Sequence, residues 1–134
     1  MKVLAITSEP ITAGQLRDAL GTDRDLSETE VMVVAPALAD SALQFWMSDA
    51  DEAIARAEEV RQQSVERLGQ EGVPATGDTG EADPYVAIED ALKTFDADRI
   101  VLFTHGGDAQ RYREDLDERE IGERFGRPVD HASV

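Results

Sequence analysis

Two histidines and no cysteine leave this 134-residue chain few groups for acid–base or nucleophilic chemistry. His105 follows the apolar run Ile100–Phe103 and precedes Gly106 and Gly107, so it stands where a strand opens into a loop. An imidazole there is placed to act as an acid or base or to touch a ligand. The commoner use of such a residue is a hydrogen bond to a loop carbonyl. His131 reads as a packing or interface residue, and its separation from His105 gives no metal-ligand pattern. The missing cysteines exclude disulfides, a thiolate nucleophile and a Cys-based zinc site. No serine sits in a Gly-x-Ser-x-Gly elbow, which sets α/β-hydrolase chemistry aside. Asp78 and Glu81 flank a glycine turn that could attract a cation, but without the ligand order of an EF-hand; solvated loop acids are the ordinary reading. Ser8 and Glu9 follow the first apolar run and are placed either to contact a ligand or to form a turn. These residues assemble no catalytic constellation, so the chain is expected not to be an enzyme and to hold no metal.

Regular elements have to place those residues, and apolar runs mark five strands. Val3, Leu4, Ala5 and Ile6 form a run ending at Thr7 and Ser8, the pattern of a parallel strand covered on both faces. A second strand runs from Val31 to Ala35 and stops at Pro36; a short third runs from Val73 to Thr76. Gly77 to Glu81 reads as a glycine-rich acidic turn. Arg99 to Thr104 is the strongest buried strand, and Val129 to Val134 a weak last one.

Helices fill the intervals. Thr12 with Gln15 spells a capping box, Leu16 and Leu20 lie one turn apart, and Gly21 can close that helix. Thr22 to Glu28 is loop. In the irregular stretch Pro36–Met47, Leu43, Phe45 and Trp46 carry more apolar area than a loop needs and are expected to cover the core rather than bind a partner. Ser48 with Asp51 begins a second capping box. Ala50, Ala53, Ile54, Ala57, Val60, Ser64 and Leu68 then recur every three or four residues as the inward face of the longest helix, which Gly72 ends. Asp83 caps a helix starting on Pro84 and burying Ile88, Ala91, Leu92 and Phe95. A last helix runs from about Gln110 to Phe125, with Gly126 and Pro128 ending it. Strands separated by helices demand crossovers, hence a parallel sheet with helices on both faces, as one domain over residues 1–134.

The charge balance restricts partners. With 29 acidic against 13 basic residues, a formal net charge of −16, the surface repels nucleic acid and anionic lipid, both of which require a basic footprint. No apolar run approaches the ~20 residues of a membrane span, and the N-terminus lacks the pattern of a signal peptide. Cytoplasm is the expected compartment.

The passage GDTGEADPYVAIEDALKTFDADRIVLFTH, Gly77 to His105, resembles the universal stress proteins. In that family a Gly-Asp turn leads into a helix, then an acidic Ala-Asp segment, then a strand entering a glycine-rich loop. The resemblance implies a three-layer α/β/α sandwich, with a five-stranded parallel sheet of order 3-2-1-4-5 and about four helices. It also implies a nucleotide crevice at the carboxyl ends of strands 1 and 4, where strand order reverses. The candidate crevice residues are then Thr7, Ser8, Val34, Ala35, His105, Gly106, Gly107 and Arg111.

The departures from the family are chemical. Members that bind ATP carry an acidic residue at the end of strand 1, where this chain has Thr7 and Ser8. Their loop after strand 4 reads Gly, two residues, Gly, nine residues, Gly, then Ser or Thr. Counting from Gly106, the second place holds Ala109 and the third region reads Asp117, Glu118, Arg119, Glu120. Those glycines let backbone N–H groups close around phosphates. Carboxylates in their place repel a triphosphate by about 1 kcal/mol each at partly exposed range, which Arg111 and Arg113 offset only in part. The expectation is a non-catalytic regulatory domain without high-affinity ATP and with no cofactor, pairing as a homodimer through the last strand or acting on an unidentified protein partner. An AMP- or ATP-binding sensor is the alternative.

Self-repulsion among the acids opposes compaction at low ionic strength, and at ~1 M salt the Debye length falls to about 3 Å. The urea midpoint should therefore rise steadily from dilute buffer to molar salt. A midpoint indifferent to salt would mean that the acidity carries no energetic cost to folding and would count against the salt adaptation that so acidic a composition suggests.

Overall fold

The structure, a computed structural model, describes residues 2–7, 9–20, 29–36, 50–80, 84–104 and 118–133. Five strands are present: β1 (Lys2–Thr7), β2 (Glu30–Pro36), β3 (Ala75–Gly80), β4 (Arg99–Thr104) and β5 (Val129–Ser133). All pair in parallel, in the order β3-β2-β1-β4-β5. The described helices are α1 (Ala13–Leu20), α2 (Ala50–Gln70), α3 (Pro84–Thr94) and α4 (Glu118–Phe125).

The apolar runs explain the layering. Successive side chains of a strand point to opposite faces, so an unbroken run feeds two cores. Val3, Ala5, Val31, Val33, Val101 and Phe103 pack with Leu16 of α1 and Leu68 of α2 on one face. Leu4, Ile6, Val34, Ile100 and Leu102 pack with Ile88 of α3 and Ile121 of α4 on the other. Val3, Leu4, Ala5, Ile100, Val101 and Leu102 are fully buried, because β1 and β4 are the strands that both layers cover.

Helix ends follow the local chemistry expected of them. Thr12 and Gln15 form the capping box reciprocally: Thr12 N donates to Gln15 Oε1 at 2.9 Å, and Gln15 N donates to Thr12 Oγ1 at 3.2 Å. Gly72 closes α2 at φ 83°, and Val73 N returns to the Leu68 carbonyl at 2.8 Å. Pro84 is the first residue of α3, as expected. Asp83, Ser48, Gly21 and the Phe45–Trp46 pair lie outside the described residues, as does the stretch from Gln110 to Asp117 assigned to the last helix.

Two expectations are corrected. The third strand is not Val73–Thr76 followed by a turn; β3 spans Ala75–Gly80 and pairs with β2 from Val31↔Ala75 to Pro36↔Gly80. Its sequence, ATGDTG, has poor β-propensity, and pairing with the preformed edge of β2 overrides it. The glycine is demanded by packing: a Cβ on Gly77 would stand 2.6 Å from Arg61 Cγ and 2.8 Å from Val65 Cγ2, so α2 approaches β3 only because Gly77 has no side chain. The second correction is Ile54, assigned to the inward stripe of α2 but 49% exposed, while Ala57, Val60, Ser64 and Leu68 of that stripe are buried. A helix of 21 residues is about 31 Å long against roughly 20 Å for a six-residue strand, so its first turns overhang the sheet.

Gly77→Ala should lower stability by about 1–3 kcal/mol, since the Val65 side chain has to give way. Gly69→Ala, on α2 with nothing within 4 Å of the added methyl, should instead raise it by about 0.5–1 kcal/mol. Urea denaturation of the two variants checks both signs.

Candidate functional site

The sheet reverses its order between β1 and β4, and the carboxyl ends of these strands are where a doubly wound sheet places ligands. Thr7, Val34 and Ala35 are the candidate crevice residues that the structure describes; Ser8, His105, Gly106, Gly107 and Arg111 lie outside the described residues. Thr7 sits opposite Phe103 of β4 at that reversal, and Val34 sits opposite Ile6 of β1, with Ala35 the next residue along β2.

Their burial limits what they offer. Val34 and Ala35 are 2% and 0% exposed and belong to opposite faces of the core. Thr7 is 1% exposed, and its hydroxyl is occupied in both senses: Oγ1 donates to the Glu9 carbonyl at 2.6 Å and accepts the Glu9 N–H at 3.1 Å. The hydroxyl is thus the pivot of a turn that bends the chain away from β1. Of the two roles open to Glu9, the structure places its backbone in this turn.

Two residues that the sequence reading did not single out as functional control where the chain goes next. Ser64 Oγ, fully buried inside the α2 stripe, accepts the N–H of the equally buried Ile11 at 3.2 Å. Glu71 Oε2, just past the end of α2, accepts the N–H of Ala13 at 3.1 Å. A serine in an otherwise apolar stripe was the legible signal, because a buried hydroxyl requires a partner. The N-terminal end of α1 carries the positive end of the helix dipole and would attract an anion. Here the Gln15 N–H goes to the Thr12 side chain and the Ala13 N–H to the chain's own Glu71 carboxylate.

The remaining sequence-flagged groups are scattered. Asp78 accepts the N–H of its neighbour Thr79 at 2.8 Å. Glu118 and Glu120 stand exposed in the first turn of α4. His131 lies in β5 with Nδ1 4.0 Å from Glu118 Oε1. It also lines an open recess of about 240 Å³ between α1 and the β4–β5 pair, with Gln15, Asp18, Ala19, Phe103 and Ala132. None of the three described crevice residues lines that recess. No group of three or more His, Asp or Glu among the described residues is placed to hold a metal ion.

No family model matches this chain, and no curated protein does. Solved structures do. A hypothetical protein, MJ0577, the subject of a structure-based assignment of biochemical function, superposes with a TM-score of 0.64 at 15% identity, covering 99% of this chain and 95% of its own. A protein from the universal stress protein family of Burkholderia pseudomallei gives 0.56 at 14% identity, with 99% and 96% covered. Hypothetical protein PH0823 gives 0.55 at 14%, with 98% and 95% covered. At these identities the likeness is one of fold, and it extends over essentially the whole chain. The fold and strand order implied by the sequence resemblance are the ones observed.

Ser64→Ala leaves the Ile11 N–H buried without its acceptor. It should cost about 1–3 kcal/mol, read as a lower urea midpoint at unchanged m-value. An unchanged midpoint would mean that the segment after β1 is held by its apolar contacts alone.

Proposed function

We propose that this chain is a non-catalytic regulatory domain of the stress-response kind, working in the cytoplasm as a homodimer and without high-affinity ATP binding. The observation that carries this reading is the state of Thr7. Among the described crevice residues it alone has a polar side chain, and both hydrogen-bonding roles of its hydroxyl are taken up by Glu9. A phosphate or ribose arriving there competes with an internal turn. The N-terminal end of α1, the other natural anion site near that end of β1, is already served by Glu71 and Thr12.

Backbone directions favour β5 over β3 as the pairing edge. Ile100 N donates to the Pro128 carbonyl, so Val129, His131 and Ser133 turn their own backbone groups outward. By the same alternation from Val31 N and Pro74 O, β3 turns Ala75, Gly77 and Thr79 outward. There the Thr79 N–H is already bonded by the Asp78 carboxylate, which also sets a negative charge at that edge. β5 is anchored from behind by Arg99, whose Nε and Nη2 donate to Asp130 Oδ2 at 3.1 and 2.8 Å.

Calorimetric titration with ATP, ADP and AMP, at low and molar salt, is expected to give no heat in the micromolar range. Sedimentation is expected to show a dimer that His131→Pro dissociates, since that change removes an outward N–H without touching the pairing with β4. Micromolar nucleotide binding that Gly106→Val weakens would establish the nucleotide sensor instead. A protein that stays monomeric at high concentration would remove the homodimer.

A further inference from the structure

His131 is the middle residue of the five that form β5. The pairing with β4 uses the even-numbered residues of that strand, so Val129, His131 and Ser133 carry the outward backbone groups. Two copies that pair through this one edge meet antiparallel about a two-fold axis. Only an axis through the middle residue sets all three outward residues in reciprocal pairs, Val129 against Ser133 and His131 against its own counterpart. An axis at Asp130 or Ala132 keeps two of the three. The two His131 residues then form a hydrogen-bonded pair, with Cα atoms about 5.5 Å apart and both side chains on one face of the joined sheet.

That face is the one α4 covers. His131 lies opposite Leu102, which packs with Ile121 of α4. Its Nδ1 stands 4.0 Å from Oε1 of Glu118, in the first turn of the same helix. The imidazole is 32% exposed and the carboxylate 53%, so both reach solvent at the edge. A separation of 4.0 Å is too long for a hydrogen bond. It is close to the ~3.4 Å between two ligands that sit about 2.1 Å from one zinc ion at the tetrahedral angle. Each copy thus offers one nitrogen and one oxygen, half of a four-ligand set. Among the described residues no single copy groups three or more His, Asp or Glu for a metal, so the set is complete only across the axis. Charge points the same way: each chain carries −16, and a divalent cation between two of them offsets part of the repulsion that opposes pairing.

We infer, on the footing of the homodimer proposed above, that its two-fold axis is a zinc site built from His131 and Glu118 of both copies. Imidazole with carboxylate suits zinc, whereas calcium and magnesium call for oxygen ligands alone. The metal ties the two edge strands together and makes the dimer answer to zinc supply.

Sedimentation and calorimetry of the full chain, stripped of metal with a chelator and then titrated with zinc chloride, test the site. One zinc should bind per two chains. Zinc at about ten times its dissociation constant should tighten the dimer about tenfold, because a lone copy holds only half the ligands. His131→Gln should abolish that response and leave the metal-free dimer, since it keeps every backbone group. Glu118→Gln should weaken zinc binding by more than about tenfold; even carboxylates outside the ligand sphere of a zinc site weigh that much. A metal-free dimer that zinc does not tighten overturns the site and leaves the homodimer standing. Zinc uptake that survives His131→Gln puts the metal on other carboxylates and overturns it too. A chain that stays monomeric with and without zinc removes both, and a dimer that forms only with zinc upholds the site.

Discussion

Everything in this molecule hangs on the pairing of β1 with β4 between two layers of helices. That pairing joins the half of the sheet built outward through β2 and β3 to the half completed by β5. It buries side chains on both faces, so each strand must be apolar along its length and each face must be covered by a helix returning from the end of a strand. Polar groups are thereby pushed to the strand ends. At the amino end they serve cohesion: Lys2 N donates to Asp98 Oδ2 and Asp98 N to the Lys2 carbonyl, both at 2.8 Å, with Arg127 and the Arg99–Asp130 pair alongside. At the carboxyl end of β1 the Thr7 hydroxyl forms a turn with Glu9.

The two sheet edges are managed differently. β3 lies close against α2 because Gly77 has no side chain, and its outward N–H at Thr79 is bonded by an aspartate next to it in sequence. β5 has a continuous outward backbone and is stiffened from the opposite side by an arginine. An edge strand with unpaired donors and acceptors is a template for another strand, and a charge or self-bonded side chain on the edge opposes that use. The acidic surface works against association in general, which makes a difference between the two edges more consequential than it would be in a neutral protein.

How far the sequence could be read depended on whether a residue's role was set by its neighbours along the chain. The apolar runs of β1, β2 and β4 located their strands to within a residue, and the Thr12–Gln15 box and Gly72 located helix ends, because these are local hydrogen bonds and local burial. β3 was misplaced because Gly77 and Asp78 look like a turn until α2 is laid against the strand. Ile54 was misassigned because helical period says which way a side chain points and not whether the sheet extends beneath it. At the candidate site, the apolar run placed Thr7 at the carboxyl end of β1, but that its hydroxyl is engaged by Glu9 was not legible.

By itself the sequence determined that this is a parallel α/β domain, with two strongly buried strands, an acidic surface and no cysteine chemistry. Those properties are sums over residue types or repeat within a few positions, so they survive without knowledge of what folds against what. Only the tertiary structure decided that Ser64 and Glu71 capture the chain leaving β1, that Gly77 is required by Arg61 and Val65, and that Arg124 joins α4 to α3. Each of these joins residues 12 to 58 positions apart along the chain, where no local propensity acts; their proximity follows from the crossover topology that buries both faces of the sheet.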